Sequence, residues 1–129
     1  MSEYRKVNPA ALGPPVGFNH GVLASAGRLL FLAGQSGAPA KSKRFAKQFE
    51  TALERILAVV REAGGEPRHI AQLKIYVTSR SEYGKARKEM GEIWRRVMGR
   101  HYPAMAMFEV KSLWEREAKV ELEGIAVLP

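Results

Sequence analysis

Two acids on one strand-like run carry the most suggestive chemistry in this chain. Lys119 to Leu128, KVELEGIAVL, alternates so that Val120, Leu122 and Ala126 share one face. Glu121, Glu123, Ile125 and Val127 share the other. An acid on a face otherwise turning apolar, as Glu121 is, suits a cleft carboxylate that accepts a hydrogen bond or holds a water. Glu123 reads as a structural acid paired with a basic neighbour. The three histidines, His20, His69 and His101, stand at no metal-ligand spacing, so no zinc site is expected. Ser36 and Ser112 have no suggestive base beside them, which leaves a hydrolytic triad without support. The loop Ala38-Pro39-Ala40-Lys41 lacks the glycine pattern of a phosphate cradle. No cofactor is implied.

Composition bounds the rest. A chain of 129 residues is one domain, spanning residues 1–129, and is long enough to bury a core without staples. It has no cysteine, which excludes disulfides and thiolate chemistry and fits a cytoplasmic protein. No apolar run approaches the roughly 20 residues of a membrane span, and the start, MSEYRKVNPA, lacks the apolar stretch of a signal peptide. The net charge of +8 would suit an anionic ligand or nucleic acid, but the 21 basic residues are spread along helices and connections alike.

The elements that must position these groups follow from periodicity. Residues 1–15 are expected to be irregular, broken by Pro9, Gly13, Pro14 and Pro15. Gly21 to Ser25 and Arg28 to Gly34 read as a hairpin turning at Ala26-Gly27. A long helix from Ser42 carries Phe45, Phe49, Leu53, Ile56, Leu57 and Val60 on one stripe, and Gly64-Gly65 with Pro67 ends it. Ile70 to Thr78 is a strand; Ser79 and Glu82 then cap a second helix that ends at Gly99. Its buried stripe is Tyr83, Ala86, Met90, Ile93, Trp94 and Val97. Ala104 to Val110 is a strand with Met105 and Met107 on one face and Ala104, Ala106, Phe108 and Val110 on the other. The order is β-β-α-β-α-β-β, a two-layer α+β domain with both helices on one face of a mixed sheet. Several strands are apolar on both faces, so the sheet's second face needs cover, expected from further copies of the chain.

The ordered set of motifs resembles the RidA/YjgF family, also called endoribonuclease L-PSP. LFLAGQ at Leu30 to Gln35 looks like its strand ending in GQ, Ala63-Gly64 its helix end, and LKIYVT at Leu73 to Thr78 its central strand. Tyr102-Pro103-Ala104 matches its YPA, and VELEGIAV at Val120 to Val127 its closing strand. The resemblance implies a chorismate-mutase-like fold assembled as a homotrimer around a central barrel, with ligand clefts between subunits. It implies hydrolysis of enamine and imine intermediates to keto acids and ammonia. The family's carboxylate-binding arginine falls on Met105, an apolar thioether with no charge, as in arginine-lacking subgroups. Its water-positioning acid falls on Glu121, and its first-segment aromatic on Phe18, next to His20 where a glutamine usually stands. A polar position of the second helix falls on Arg87, which makes Arg87 and His20 the candidates to replace the missing charge. Met107, beside Met105 on the same strand face, joins the expected ligand-binding set; read without the resemblance, both methionines fill core or interface.

Two functions follow as expectations. One is a homotrimer binding a small carboxylate or carbonyl metabolite between subunits, with altered imine- or enamine-hydrolysing activity. The other is an RNA-directed endoribonuclease or translation inhibitor. Here the sequence shows no basic patch interleaved with aromatics of the kind single-strand binding uses.

Overall fold

The computed structural model describes residues 4–129. The expected long helix is α1, Phe45–Glu62, whose stripe Phe45, Phe49, Leu53, Ile56, Leu57 and Val60 is buried throughout. The helix starts three residues later than its pattern suggested. The Ser42 hydroxyl accepts from the Arg44 amide and holds a bend ahead of the first turn. It ends as expected: Gly64 takes φ +89° and the Gly65 amide returns to the Val60 carbonyl.

Among the described residues are six strands, two α-helices and three short 3-10 turns. β1 is Tyr4–Val7, β2 Gly21–Ala24, β3 Arg28–Ser36, β4 Ile70–Val77, β5 Ala104–Glu109 and β6 Val120–Leu128; α2 is Arg80–Met98. β1 and β2 form a small antiparallel sheet, and the main sheet runs β3-β6-β4-β5. β5 lies parallel to β4 and the other pairs are antiparallel, which makes the sheet mixed. Both helices cover one face of it: α1 packs on β3, β6 and α2, and Met90, Ile93, Trp94 and Met98 of α2 join the same core.

Two local expectations are corrected. Residues 1–15 are not irregular throughout, because Tyr4–Val7 is a strand, tied down by the Tyr4 hydroxyl donating to the His69 carbonyl at 2.5 Å. Four residues with Arg5-Lys6 in the middle carry too little apolar alternation to announce it. The hairpin between residues 21–25 and 28–34 does not form, since β2 pairs with β1 and β3 with β6. Gly27, at φ +143°, lies against Val127 and the Leu128 carbonyl, where a Cβ would not fit. The chain leaving β2 is thereby turned onto β6 instead of back along β2.

Register decides what each face of the sheet offers. Met105 pairs with Leu73 and Met107 with Ile75, so both methionines face the helix layer. Phe108 pairs with Tyr76, and Phe31 with Ile125, on the opposite face. That face bears no helix. Leu29 is 62%, Phe31 70% and Phe108 46% exposed there. The expected apolar second face is thus present, but Met107 is not part of it. Among the described residues no helix is long and apolar enough to cross a membrane.

Candidate functional site

At the β5 edge of the sheet, the helix-side face meets α2 around a cavity of about 270 Å³. Met105 and Met107 form its floor with Ile75, while Tyr83, Arg87 and Trp94 descend from α2. Residues 83, 87, 90, 91 and 94 recur at three-to-four spacing, which brings them to one side of that helix. Trp94 is fixed by stacking on Tyr102 at 5.8 Å and by its indole N–H donating to the His101 carbonyl at 3.1 Å. Arg87 is exposed, yet lines the cavity, leaving its guanidinium hydrated at the mouth.

Phe18 closes an adjoining space of about 260 Å³ that shares Met105, Met107, Tyr83 and Ile75. It is delivered there by Asn19, a residue that sequence reasoning passed over. The Asn19 amide donates to the Pro103 carbonyl at 3.1 Å, and its side chain donates to the Tyr102 carbonyl at 2.5 Å. Asn8 in turn donates to the Asn19 side chain at 2.8 Å and accepts from the His20 amide at 2.7 Å. A buried asparagine in a polar stretch gives no periodic signal, so only the fold reveals this bracket. His20 meets the Phe18 ring edge-on at 5.1 Å and its Nε2 bonds the Gly13 carbonyl at 3.0 Å. It does not line either cavity.

Glu121 lies on the opposite side of the sheet. It pairs with Ser36 on β3 and Tyr76 on β4, on the face without helices. Its carboxyl packs against Gly34, where any side chain would overlap it. Burial lifts its pKa above the usual carboxylate value, and the nearby Glu115 and Glu123 carboxylates add to the rise. Tyr76 donates its hydroxyl to Glu123 and stacks on Phe108 at 5.5 Å. The basic partner expected for Glu123 is therefore a tyrosine. Of the six expected residues, one chain brings Phe18, Arg87, Met105 and Met107 together, leaves His20 just behind Phe18, and sets Glu121 apart.

With this geometry in view, the relatives of the chain become informative. The family model for endoribonuclease L-PSP matches residues 8–128. The chain belongs to that family, the RidA/YjgF proteins. It is 27% identical to protein DfrA of Myxococcus xanthus over 124 residues, 92% of this chain and 88% of that protein. A Rid-family protein of unknown function from Yersinia pestis, YyfB, superposes with a TM-score of 0.83 at 29% identity, covering 97% of this chain and 98% of the other. RidA from an Antarctic Psychrobacter gives a TM-score of 0.67 at 26% identity, with 94% of each chain covered. These matches run through the mixed sheet and both helices, so the two-layer α+β architecture is that of the RidA/YjgF fold.

Proposed function

We propose that the chain assembles as a homotrimer and binds a small carboxylate or carbonyl metabolite in clefts between subunits, with an altered imine- or enamine-hydrolysing activity. The observation that carries this reading is the meeting of Phe18, Arg87, Met105 and Met107 around the cavity at the β5 edge. Family membership supports the fold on which such clefts are built. In such a trimer Glu121 would have to come from a second copy laid over the helix-free sheet face, because within one chain it lies on the side of the sheet away from the cavity.

Each group then has a task. Arg87 offers a planar guanidinium, charged at every physiological pH, to the ligand carboxylate. Phe18, Met105 and Met107 supply an apolar, adaptable wall. Glu121, poised above the ordinary carboxylate pKa, takes a proton from a water as it attacks. Water adds to the C=N carbon, Glu121 returns the proton to the nitrogen, and the new hydroxyl then gives up its own proton by the same route as the C–N bond breaks, leaving ammonia and a carbonyl compound. With Met105 in place of an arginine, imines of small amino acids are held by one cation fewer and turn over slowly.

A thermal-shift screen of small carboxylates and carbonyl compounds identifies the ligand, because binding to the native state raises the melting temperature. Calorimetry on that compound then compares wild type with Arg87→Ala and Glu121→Ala. Affinity is expected to fall about tenfold or more in each, a loss of about 1.4 kcal/mol. Unchanged affinity in both variants overturns the assignment.

A further inference from the structure

A concavity of about 870 Å³ shares no residue with the cavity at the β5 edge and lies at the N-terminal end of α2, beside Glu82. Its volume is in the range of small-molecule sites. One wall is the 3-10 turn Ala38–Ala40 with Lys41, Ser42 and Lys43; the other is the β5–β6 connection with Lys111, Arg116 and Lys119.

The two walls are held at a fixed separation by one buried side chain. Gln48, 2% exposed, donates from Nε2 to the Ser42 carbonyl at 2.9 Å and to the Glu117 carbonyl at 3.0 Å. Its Oε1 accepts from the Lys119 amide at 2.8 Å. Gly37 packs so closely on Gln48 that a Cβ there would overlap it. The groove is therefore preformed, which lowers the ordering cost of binding.

Its charge is unbalanced. Five cations, Lys41, Lys43, Lys111, Arg116 and Lys119, face three acids, Glu82, Glu115 and Glu117. Glu82 is engaged by Lys119 at 2.6 Å, and Glu115 accepts from the Ser36 hydroxyl. Lys41, Lys43, Lys111 and Arg116 form no ion pair among the described residues. Lys41 also holds φ 53° and ψ 42°, and is the one non-glycine residue with positive φ among the described residues. That conformation is costly for a side-chain-bearing residue. A lysine kept where glycine would be easier points to a use for its ammonium.

We propose that this groove is a second ligand site, selective for a small molecule bearing a doubly charged anionic group, either a phosphomonoester or a dicarboxylate. Five cations less three carboxylates leave two positive charges, which a dianion neutralises. Arg116 offers the bidentate fork, and the Ser42, Ser112 and Thr78 hydroxyls offer neutral donors.

The test is calorimetric titration of the full chain with glycerol 3-phosphate, succinate and, as monoanion control, acetate. Lys41→Gly removes the charge while relieving the left-handed strain, so it is expected to melt no lower than wild type. One dianion should bind saturably and more tightly than acetate, and the tighter of the two names the ligand class. Affinity should fall about tenfold in Lys41→Gly and in Arg116→Ala, and remain unchanged in Arg87→Ala. Equal binding of acetate and the dianions overturns the proposal, as does wild-type affinity in both groove variants. Displacement of the dianion by a short RNA that binds more tightly, with steep salt dependence, also overturns it in favour of a polymer site.

Discussion

Met105 shows how much a single position constrains the chemistry. Strand register turns its thioether to the helix layer beside Leu73, into a cavity where Arg87 is the available cation. Charge and apolar wall are thus supplied by different elements. A second residue-scale consequence concerns His101. Its Nε2–H donates to the Ile70 carbonyl at 2.7 Å, and burial holds its pKa below the ordinary histidine value. A base whose folded pKa is depressed stabilises the fold above its unfolded pKa of about 6.5. That stability is lost as pH falls from there through the folded value, because the unfolded chain takes up the proton first. His69 has its pKa depressed in the same way, with burial as the main cause and the Arg68 charge assisting. The melting temperature is therefore expected to drop as pH is lowered below about 6.5, and the drop should be shallower in His101→Gln. A melting series from pH 8 to pH 5 with equal slopes for both proteins would remove His101 from the account. Phe18 and Arg87 were legible only because a motif resemblance assigned them. Neither carries a periodic signal of its own, and the Asn19 bracket behind Phe18 had none at all.

Elements with strong internal periodicity were the ones the sequence disclosed. The α1 stripe, the glycine stop after it and the Ser79 cap are all present, with the Ser79 hydroxyl accepting from the Glu82 amide at 3.1 Å. The other half of that capping box is absent because the Glu82 carboxylate goes to Lys119 instead. What stayed hidden were pairings that depend on distant parts of the chain: β1 with β2, β3 with β6, and the Gln48 clamp between two loops. Gln48 lies outside the apolar stripe of α1 and drew no attention as a sequence position. It is instead the fastening of the 38–43 loop to the β5–β6 connection, and its loss would orphan the Lys119 amide and two carbonyls. Gln48→Leu keeps the volume but not the hydrogen bonds, and should cost about 1–3 kcal/mol. Urea unfolding checks this, and a midpoint equal to wild type would show that water replaces the amide at no cost.

On the scale of the whole molecule, the sheet poses the main physical problem. One face is sealed by α1 and α2, while the other presents Leu29, Phe31 and Phe108 to solvent beside Tyr76 and Ile125. Large apolar side chains left exposed on one sheet face are what an interface would cover, although Glu121, Glu123 and Lys74 share that face, and the doubly apolar strands already implied such a surface. Its residues could not be assigned correctly from alternation alone, because Met107 and Phe108 are both apolar and only strand register tells which faces outward. Phe31→Asp is the informative variant: at 70% exposure it leaves the core of the single chain untouched, yet it buries an unpaired charge in any assembly over that face. The most direct test of the account is the molar mass in solution by light scattering at micromolar concentration. Wild type should give three times the 14.4 kDa chain mass, and Phe31→Asp a smaller species that still melts cooperatively. A wild-type mass equal to one chain would contradict the account, because Glu121 and the Arg87 cavity would then have no means of forming one site.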